Sequence, residues 1–278
     1  MPPLSGGWVR PVLLAAVFLV SFFWWQNNGL TLTRINLAHP AAPNEMEPLR
    51  ILQISDLHNK RFGRGQARLL DLIGQAQPDL IVVTGDLIDA RRPGMENALD
   101  LLHGAQAMAP VFFVSGNHEA GSGQTGELLA EMEQMGVVVL EDRAMEWSIG
   151  PETIRLLGLS DPGTAWADRP SFRLEAMDAL KSERFQVLLA HRPEWFSEYT
   201  AGGVDLVFAG HAHGGQIRLP VVGGLLAPGQ GVLPRYSAGV YQEDQGVMVV
   251  SRGLGNSLFP LRLMNRPELV LVTLTGEK

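Results

Sequence analysis

The stretch that decides the fold reads Val207-Phe208-Ala209-Gly210-His211-Ala212-His213-Gly214-Gly215-Gln216. An apolar run ends at a glycine, and two histidines follow it with one residue between them. Short apolar runs bounded by glycine are typical of buried strands, and ligands of open α/β sheets bind beyond the carboxyl ends of such strands. Imidazole is the commonest protein ligand for metals. Taken alone, the pair suits either a metal site or ordinary polar histidines in a loop.

Polar side chains also follow four other predicted strands. They are Asp56 and His58 after residues 50–55, Asp86 after 80–84, Asn117, His118 and Glu119 after 111–115, and His191 after 186–190. Taken singly, these residues also suit helix caps, turns or a satisfied core histidine. Five of the 7 histidines nevertheless follow predicted strands directly. This coincidence predicts one metal site where the strands end.

Strands alternate with helices over the first half of the chain. The apolar periodicity predicts helices at 66–75, 97–107, 127–135 and 172–181, and further strands at 137–140, 154–159, 204–209, 248–251 and 269–274. Such alternation predicts an α/β domain whose first half is largely parallel. The later strands lack intervening helices, which predicts a mixed or antiparallel second half.

An apolar segment from Trp8 to Trp25 lies near the N-terminus and ends in the aromatic cluster Phe22-Phe23-Trp24-Trp25. Its length suits either a spanning helix or a signal peptide, but no small-x-small cleavage site follows it. We therefore expect an uncleaved transmembrane helix at about 8–25, within an N-terminal segment 1–26. The polar, proline-containing stretch 27–48 is predicted to be a linker, and 49–278 the main domain. Arg10 and Arg34 lie on opposite sides of the helix and leave its orientation open.

Composition narrows the chemistry further. The 278 residues carry a net charge of −7 and no cysteine. The charge indicates no nucleic-acid partner. The absence of cysteine excludes disulfides, thiolate ligands and cysteine nucleophiles. Any metal must therefore be held by oxygen and nitrogen.

Five motifs in this order resemble those of the calcineurin-like metallophosphoesterase superfamily: Asp56-x-His58, Gly85-Asp86, Gly116-Asn117-His118-Glu119, His191 and Gly210-His211-x-His213. The resemblance covers residues 49 to the C-terminus. It implies an α/β fold, a four-layer α/β/β/α sandwich, with a dinuclear metal centre between the sheet edges.

The resemblance also implies roles for these residues. One ion would be held by Asp56, His58, Asp86 and His213, and the other by Asp86 as a bridge, Asn117, His191 and His211. His118 would be the non-ligand catalytic histidine beside the scissile phosphate, and Glu119 would orient it. Hydroxide held by the two ions would attack the phosphorus. Ligation by imidazole and carboxylate without thiolate suits Mn, Fe or Zn.

Other stretches resemble bacterial membrane-anchored phosphodiesterases of the YaeI/YkuE type: residues 210–218, 236–241 and 251–255. This branch implies cleavage of a phosphodiester or pyrophosphate bond at the bacterial inner membrane. The expected substrate is lipid-linked or in the cell envelope, such as the UDP-2,3-diacylglucosamine of lipid A synthesis. A phosphodiesterase of broad specificity is the alternative. An inactive membrane-tethered scaffold is disfavoured, because no implied ligand is missing and His118 is present.

Two arginines are predicted to lie nearest the substrate phosphate. The planar guanidinium groups of Arg252 and Arg218 match a pair of phosphate oxygens, although surface salt bridges are the alternative for both. The apolar loop 219–233 is predicted to be a lid, a surface for acyl chains or for the membrane, or a packed irregular loop.

Overall fold

The computed structural model describes residues 8–43, 47–163, 182–257 and 259–277. Its strands are β1 (Thr31–His39), β2 (Leu49–Ile54), β3 (Leu80–Thr84), β4 (Val111–Val114), β5 (Val138–Val139), β6 (Arg143–Ile149), β7 (Glu152–Leu159), β8 (Gln186–Ala190), β9 (Leu206–Ala209), β10 (Arg218–Leu219), β11 (Gly223–Gly224), β12 (Leu226–Ala227), β13 (Gly231–Val232), β14 (Gly239–Glu243), β15 (Gly246–Val250) and β16 (Glu268–Gly276). Its α-helices are α1 (Val9–Asn28), α2 (Ala67–Ala76), α3 (Glu96–Gln106), α4 (Asn117–Ser122), α5 (Thr125–Gln134) and α6 (Phe196–Ala201).

Two six-stranded sheets form the centre of the molecule. The first has the order β1-β16-β2-β3-β4-β5, with β2 to β5 parallel and β16 antiparallel to β2. The second has the order β14-β15-β9-β8-β7-β6, in which the four inner strands are parallel and both edge strands are antiparallel. The first half is thus largely parallel and the second mixed, as the sequence predicts.

Alternating side chains divide the interior into layers. On β3, Val82 packs into the core between the two sheets, whereas Ile81 and Val83 face the core beneath α2, α3 and α5. Strands buried on both faces are nearly continuous apolar runs, and β3 is buried at every position and apolar from Leu80 to Val83. The outer face of the second sheet is covered by Phe196 and Tyr199 of α6. The layers follow the order α/β/β/α, which confirms the predicted fold.

The predicted linker is wrong for residues 31–39, which form β1 at the edge of the first sheet. This strand pairs in parallel with β16 from Thr31 opposite Glu268 to His39 opposite Gly276. Leu32 packs towards the helices and Ile35 towards the second sheet. Polar residues alternate with these side chains because an edge strand is half exposed, so the composition conceals the strand.

The N-terminal helix α1 covers the predicted span except for Trp8, which is its N-cap. It has 20 residues and is long and apolar enough to cross a membrane. Among its residues only Gln26 is buried. It therefore extends away from the two sheets, and its last turn is followed after two residues by β1.

Several elements were not predicted, namely β1, β6, β14, α4, α6 and the short strand pairs β10–β11 and β12–β13. The predicted helix at 172–181 lies outside the described residues. The strands 80–84 and 186–190 have the predicted bounds, α1 ends three residues later than predicted, and the bounds of the other predicted elements in the described residues differ by at most two residues at either end.

Candidate metal centre

The backbone at the strand ends is unusual. Side chains other than glycine rarely adopt positive φ, and such strain is concentrated at functional sites. Five of the predicted ligands have φ between 47° and 64°: Asp56, His58, Asp86, His211 and His213. These turns direct side chains from different strands into one space between the sheet edges.

One cluster joins the ends of β2 and β9. The Nε2 atoms of His58 and His213 are 3.1 Å apart, and His213 Nε2 lies 3.4 Å from Asp56 Oδ1. The Asp56 carboxylate is held by the Ser55 hydroxyl, which donates to Oδ2 at 2.6 Å, and by the backbone N–H of His211, which donates to Oδ1 at 3.1 Å. All three clustered side chains are buried.

A second cluster joins the ends of β3, β8 and β9. His191 Nε2 lies 3.2 Å from Asp86 Oδ2 and 3.1 Å from His211 Nδ1. On its other side, His191 Nδ1 is 2.7 Å from the carbonyl oxygen of Thr84. Because a carbonyl oxygen only accepts, Nδ1 carries the proton and Nε2 of the neutral ring presents a lone pair to the cluster.

Asp86 lies between the two clusters. Its Oδ2 is 3.2 Å from His191 Nε2 and 3.7 Å from His58 Nε2. The backbone N–H of His118 donates to its Oδ1 at 2.8 Å. The carboxylate is thus fixed where a ligand shared by two ions would have to be.

The donor set fits divalent ions. Two imidazole nitrogens that bind one ion at 2.0–2.1 Å lie about 2.9–3.4 Å apart at octahedral or tetrahedral angles. The His58–His213 and His191–His211 pairs both measure 3.1 Å. Asn117 Oδ1 is buried and has no hydrogen-bond partner among the described residues, and Asn117 lines the same cavity. The two clusters and Asn117 therefore offer seven side chains with oxygen or nitrogen donors, and four of them, Asp86, Asn117, His211 and His213, line the cavity.

The electrostatics keep most of the imidazoles in the form that binds metal. Burial lowers the pKa of His58, His211 and His213, so these rings are neutral near pH 7. Burial acts in the same direction on His191, but the carboxylates of Asp86 and Asp56 outweigh it and raise the pKa of His191 to about 10. A cation in the cluster would compete with the proton on His191 Nε2.

His118 lines the cavity beside the first cluster. Its Nδ1 accepts the backbone N–H of Ala90 at 3.1 Å and lies 3.4 Å from Asp89 Oδ1. In the neutral ring the proton is therefore on Nε2. The buried carboxylate of Asp89, which sequence reasoning missed, is also 4.0 Å from His58 Nδ1. The only feature of the sequence that could have indicated Asp89 is its position three residues after Asp86.

Glu119 has a different role from the expected one. Its carboxylate accepts the backbone N–H groups of Asp86 and Gly116 at 2.7 Å and of Ile88 at 3.1 Å. Among the described contacts, none joins this carboxylate to the His118 ring. Glu119 therefore positions the backbone at Asp86, and Asp89 is the carboxylate beside His118.

The structure does not bring the two predicted arginines to the cavity. The Arg252 guanidinium pairs with Glu268 at 2.8 Å, and Arg218 donates to the carbonyl oxygen of Gly214 at 3.0 Å. Among the described residues that line the cavity of about 230 Å³, the arginine is Arg91. Arg91 is held by Asp89 Oδ1 at 3.2 Å and is partly exposed.

The family model of the calcineurin-like phosphoesterases matches residues 49–215. This range is more than half of the chain and includes every residue of both clusters. The chain belongs to the calcineurin-like phosphoesterase family.

Two bacterial relatives match this phosphoesterase over most of their length. Phosphodiesterase YaeI of Escherichia coli (strain K12) is 31% identical over 82% of this chain and 82% of its own. The metallophosphoesterase YkuE of Bacillus subtilis (strain 168) is 30% identical over 84% of this chain and 81% of its own. The chain is a hydrolase that acts on phosphoesters, and its resemblance to the YaeI/YkuE type is confirmed.

A solved structure shares the fold of this phosphoesterase. TT1561 of Thermus thermophilus superimposes with a TM-score of 0.51 at 14% identity, over 75% of this chain and 91% of that one. The family is dependent on two metals, and this phosphoesterase has clusters of side chains that could hold them.

Proposed function

We propose that this phosphoesterase hydrolyses a phosphodiester or pyrophosphate bond with two divalent ions held between the sheet edges. The observation that carries the proposal is the Asp86 carboxylate, which lies between two clusters of buried ligand-type side chains. Asp56, His58 and His213 would hold one ion with Asp86. Asn117, His191 and His211 would hold the other with Asp86.

The bound ions would supply Lewis acidity and an activated water. The protein's own contribution begins with charge. Only Asp56 and Asp86 among the proposed ligands are anionic, and Asn117 adds a neutral oxygen. The occupied cavity therefore keeps a net positive charge that favours an anionic phosphoester. We take the metals to be Mn, Fe or Zn, because these accept mixed imidazole and carboxylate ligands.

His118 is the proposed proton donor. The Ala90 N–H occupies Nδ1 and leaves the proton on Nε2 of a ring that lines the cavity. From there the neutral ring can donate a hydrogen bond to a phosphate oxygen, and a cationic ring, with its second proton on Nδ1 turned to Asp89 in place of the Ala90 N–H, can protonate the leaving oxygen. Asp89 would stabilise the cationic form of the ring, and Arg91 would bind a phosphate oxygen at the rim.

The proposed substrate is lipid-linked or a component of the envelope, and UDP-2,3-diacylglucosamine is the specific candidate. The support for this proposal is α1, a helix long and apolar enough to span a bilayer once. We place the protein in the bacterial inner membrane through α1, with 49–278 as the catalytic unit to which β1 adds an edge strand.

A panel of substrates tests this assignment. Full-length protein in detergent, loaded with Mn²⁺, is assayed on UDP-2,3-diacylglucosamine, a cyclic nucleotide and bis(4-nitrophenyl) phosphate. The proposal predicts a higher kcat/KM on the lipid-linked substrate than on the other two.

Equal kcat/KM values on all three would instead assign a phosphodiesterase of broad specificity. One observation favours this second candidate. The cavity of about 230 Å³ is large enough for a phosphate and its nearest substituents, but not for a complete lipid. No hydrolysis of any of them by the metal-loaded protein would contradict both candidates and favour the inactive scaffold.

A further inference from the structure

We infer that the metal cavity faces the membrane, and that the apolar segments at its rim, residues 219–233 and 259–264, insert into the surface of a lipid bilayer. We call these two segments the docking surface. The inference rests on the proposed role of α1 as a membrane anchor. It defines the substrate as a phosphoester presented at the bilayer surface.

The strand register places the end of α1 at the edge of the sheet that carries the metal cavity. β1 is parallel to β16, and β16 is antiparallel to β2. The first residue of β1, Thr31, is therefore at the same edge as the last residue of β2, Ile54. Asp56 follows Ile54 by two residues. A bilayer spanned by α1 consequently lies on the side of the molecule that contains the cavity.

Contacts hold the end of α1 against the domain, so that α1 is not a loose tether. Asn27 Oδ1 accepts the side-chain N–H of Asn256 at 2.8 Å and the backbone N–H of Arg262 at 3.2 Å. The Arg68 guanidinium donates to the carbonyl oxygen of Asn28 at 3.0 Å. Together with the Lys60 ammonium, which donates to the Asn27 carbonyl, these contacts fix the direction in which α1 leaves.

The aromatic residues of α1 mark the level of the membrane surface. Trp24 and Trp25 lie in its last two turns and are 61% and 46% exposed. Tryptophan is enriched where the hydrocarbon core meets the headgroups. Asn256 and Arg262 contact Asn27, which follows Trp25 by two residues, so Asn256 and Arg262 lie at the level of the headgroups.

The docking surface is apolar and exposed at this level. Leu261 and Met264 are 43% and 53% exposed. The neighbouring segment carries Val221 and Val232, both largely exposed. Contiguous apolar patches of this kind are unfavourable in water and mark interaction sites. The two segments are joined, because Ile217, Leu225, Leu226 and Phe259 line one small apolar cavity.

The same two segments border the metal cavity. Pro228 lines it from one segment, and Ser257 lines it from the loop that leads into the other. The mouth of the cavity is therefore next to the docking surface, and a phosphate in the headgroup layer can enter without its lipid leaving the bilayer.

Basic residues beside α1 also favour a lipid bilayer as the partner. The chain carries a net charge of −7, yet residues 60–68 contain four basic residues and no acidic one. Arg61, Arg64 and Arg68 are exposed, and Arg68 contacts the end of α1. Basic groups next to a membrane span attract anionic lipid headgroups.

Site-directed spin labelling tests the inference, because the chain has no cysteine of its own. Full-length protein is reconstituted in vesicles of phosphatidylethanolamine and phosphatidylglycerol and labelled at Met264→Cys. Its matched control is Met108→Cys, since Met108 is 44% exposed but precedes β4 and lies at the opposite edge of the sheet. Collisions with oxygen report the bilayer, and collisions with a water-soluble nickel chelate report solvent.

The label at position 264 is expected to collide with oxygen several-fold more often than with the chelate. The label at position 108 is expected to collide more often with the chelate. A label at Val232→Cys provides a second reading from the other segment. Equal, aqueous collision rates at all three positions would overturn the inference. Dipolar coupling between labels at Met264 without oxygen contact would assign the surface to a second copy of the chain and would also overturn it.

Each labelled protein is also assayed for chelator-sensitive hydrolysis of soluble bis(4-nitrophenyl) phosphate. If hydrolysis is retained but the labels are exposed to water, the result contradicts the docking surface and not the proposed activity. If the labels are buried in the membrane but neither the labelled nor the unlabelled protein hydrolyses this substrate, the result contradicts the proposed activity and supports the docking surface.

Discussion

Gly116 gives Asp86 the space in which its carboxylate lies between the clusters. A Cβ atom at Gly116 would be 2.3 Å from Asp86 Oδ1 and 2.7 Å from the Asp86 backbone nitrogen. Neither atom can yield easily, because Asp86 is buried and its N–H is bonded to Glu119. The motif Gly-Asn-His-Glu therefore needs its glycine as much as its polar residues.

Gly116→Ala is expected to move the Asp86 carboxylate and to lower both metal content and hydrolysis. The matched control is Gly126→Ala in α5, where an added Cβ would meet nothing within 4 Å. Elemental analysis of the two purified variants measures the difference. Equal metal content in both would show that the position of Asp86 does not depend on Gly116.

Substitutions of Asp86 and of His118 should distinguish a residue that binds metal from one that transfers a proton. Asp86→Ala removes the shared carboxylate and should abolish both metal occupancy and activity. His118→Ala should keep the metals and lower kcat by roughly 10²–10⁴, the range for loss of a proton-transfer group. Metal content and kcat are measured on the same preparations. An empty site in His118→Ala would show that His118 is a ligand.

Residues at strand ends could be predicted from the sequence, whereas their side-chain partners could not. Strand, glycine and polar residue follow one another in the chain, so Asp56, Asp86 and His191 could be placed at one edge. The orientation of the Arg252 side chain depends on its ion pair with Glu268, which lies 16 residues further along the chain and meets Arg252 only in the folded protein. Asp89 was missed because it follows the motif and is not part of it.

At the scale of elements, β1 changes how the N-terminal region should be divided. Its first residue, Thr31, bonds to Pro267 just before β16, which is 236 residues away, so no local pattern in the sequence could reveal the pairing. The central strands β3 and β8 were predicted with their bounds because full burial makes nearly every position apolar. An edge strand lacks that signature.

Two truncations should therefore behave differently. Removal of residues 1–28 takes away α1 and keeps β1, and should leave a folded domain with unchanged kcat on a soluble phosphodiester. Removal of residues 1–47 also removes the half-buried Leu30, Leu32, Ile35 and Leu37. Half-burial of four such side chains stabilises the fold by roughly 3–6 kcal/mol, much of the free energy of unfolding of a typical domain. Thermal unfolding should show a far lower Tm for the shorter protein, and equal Tm values would contradict the role of β1.

For the whole molecule, fold and site follow from one pattern of strands and polar strand ends. The mixed second sheet could be predicted from that pattern, and the layers only through the family that the polar motifs resemble. The orientation of α1 relative to the cavity could not, because it depends on the register of β1 with β16 and on contacts of Asn27 with a distant loop.

Anchoring should matter only for a substrate at the membrane. The protein without residues 1–28 is compared with the full chain on a lipid-linked phosphoester in vesicles and on a soluble phosphodiester. The vesicle rate should fall, because the anchor raises the local concentration of enzyme at the bilayer, and the soluble rate should not change. Equal rates of both proteins on vesicles would remove the support for a lipid-linked substrate.

The central claim is that two divalent ions between the sheet edges carry out the hydrolysis. It is tested most directly by titrating metal-stripped, full-length protein with Mn²⁺ and measuring bound metal and hydrolysis of bis(4-nitrophenyl) phosphate in the same samples. Activity should be absent without metal and should reach its maximum at close to two ions per chain. Full activity of the stripped protein, or metal binding without any gain in activity, would contradict the claim.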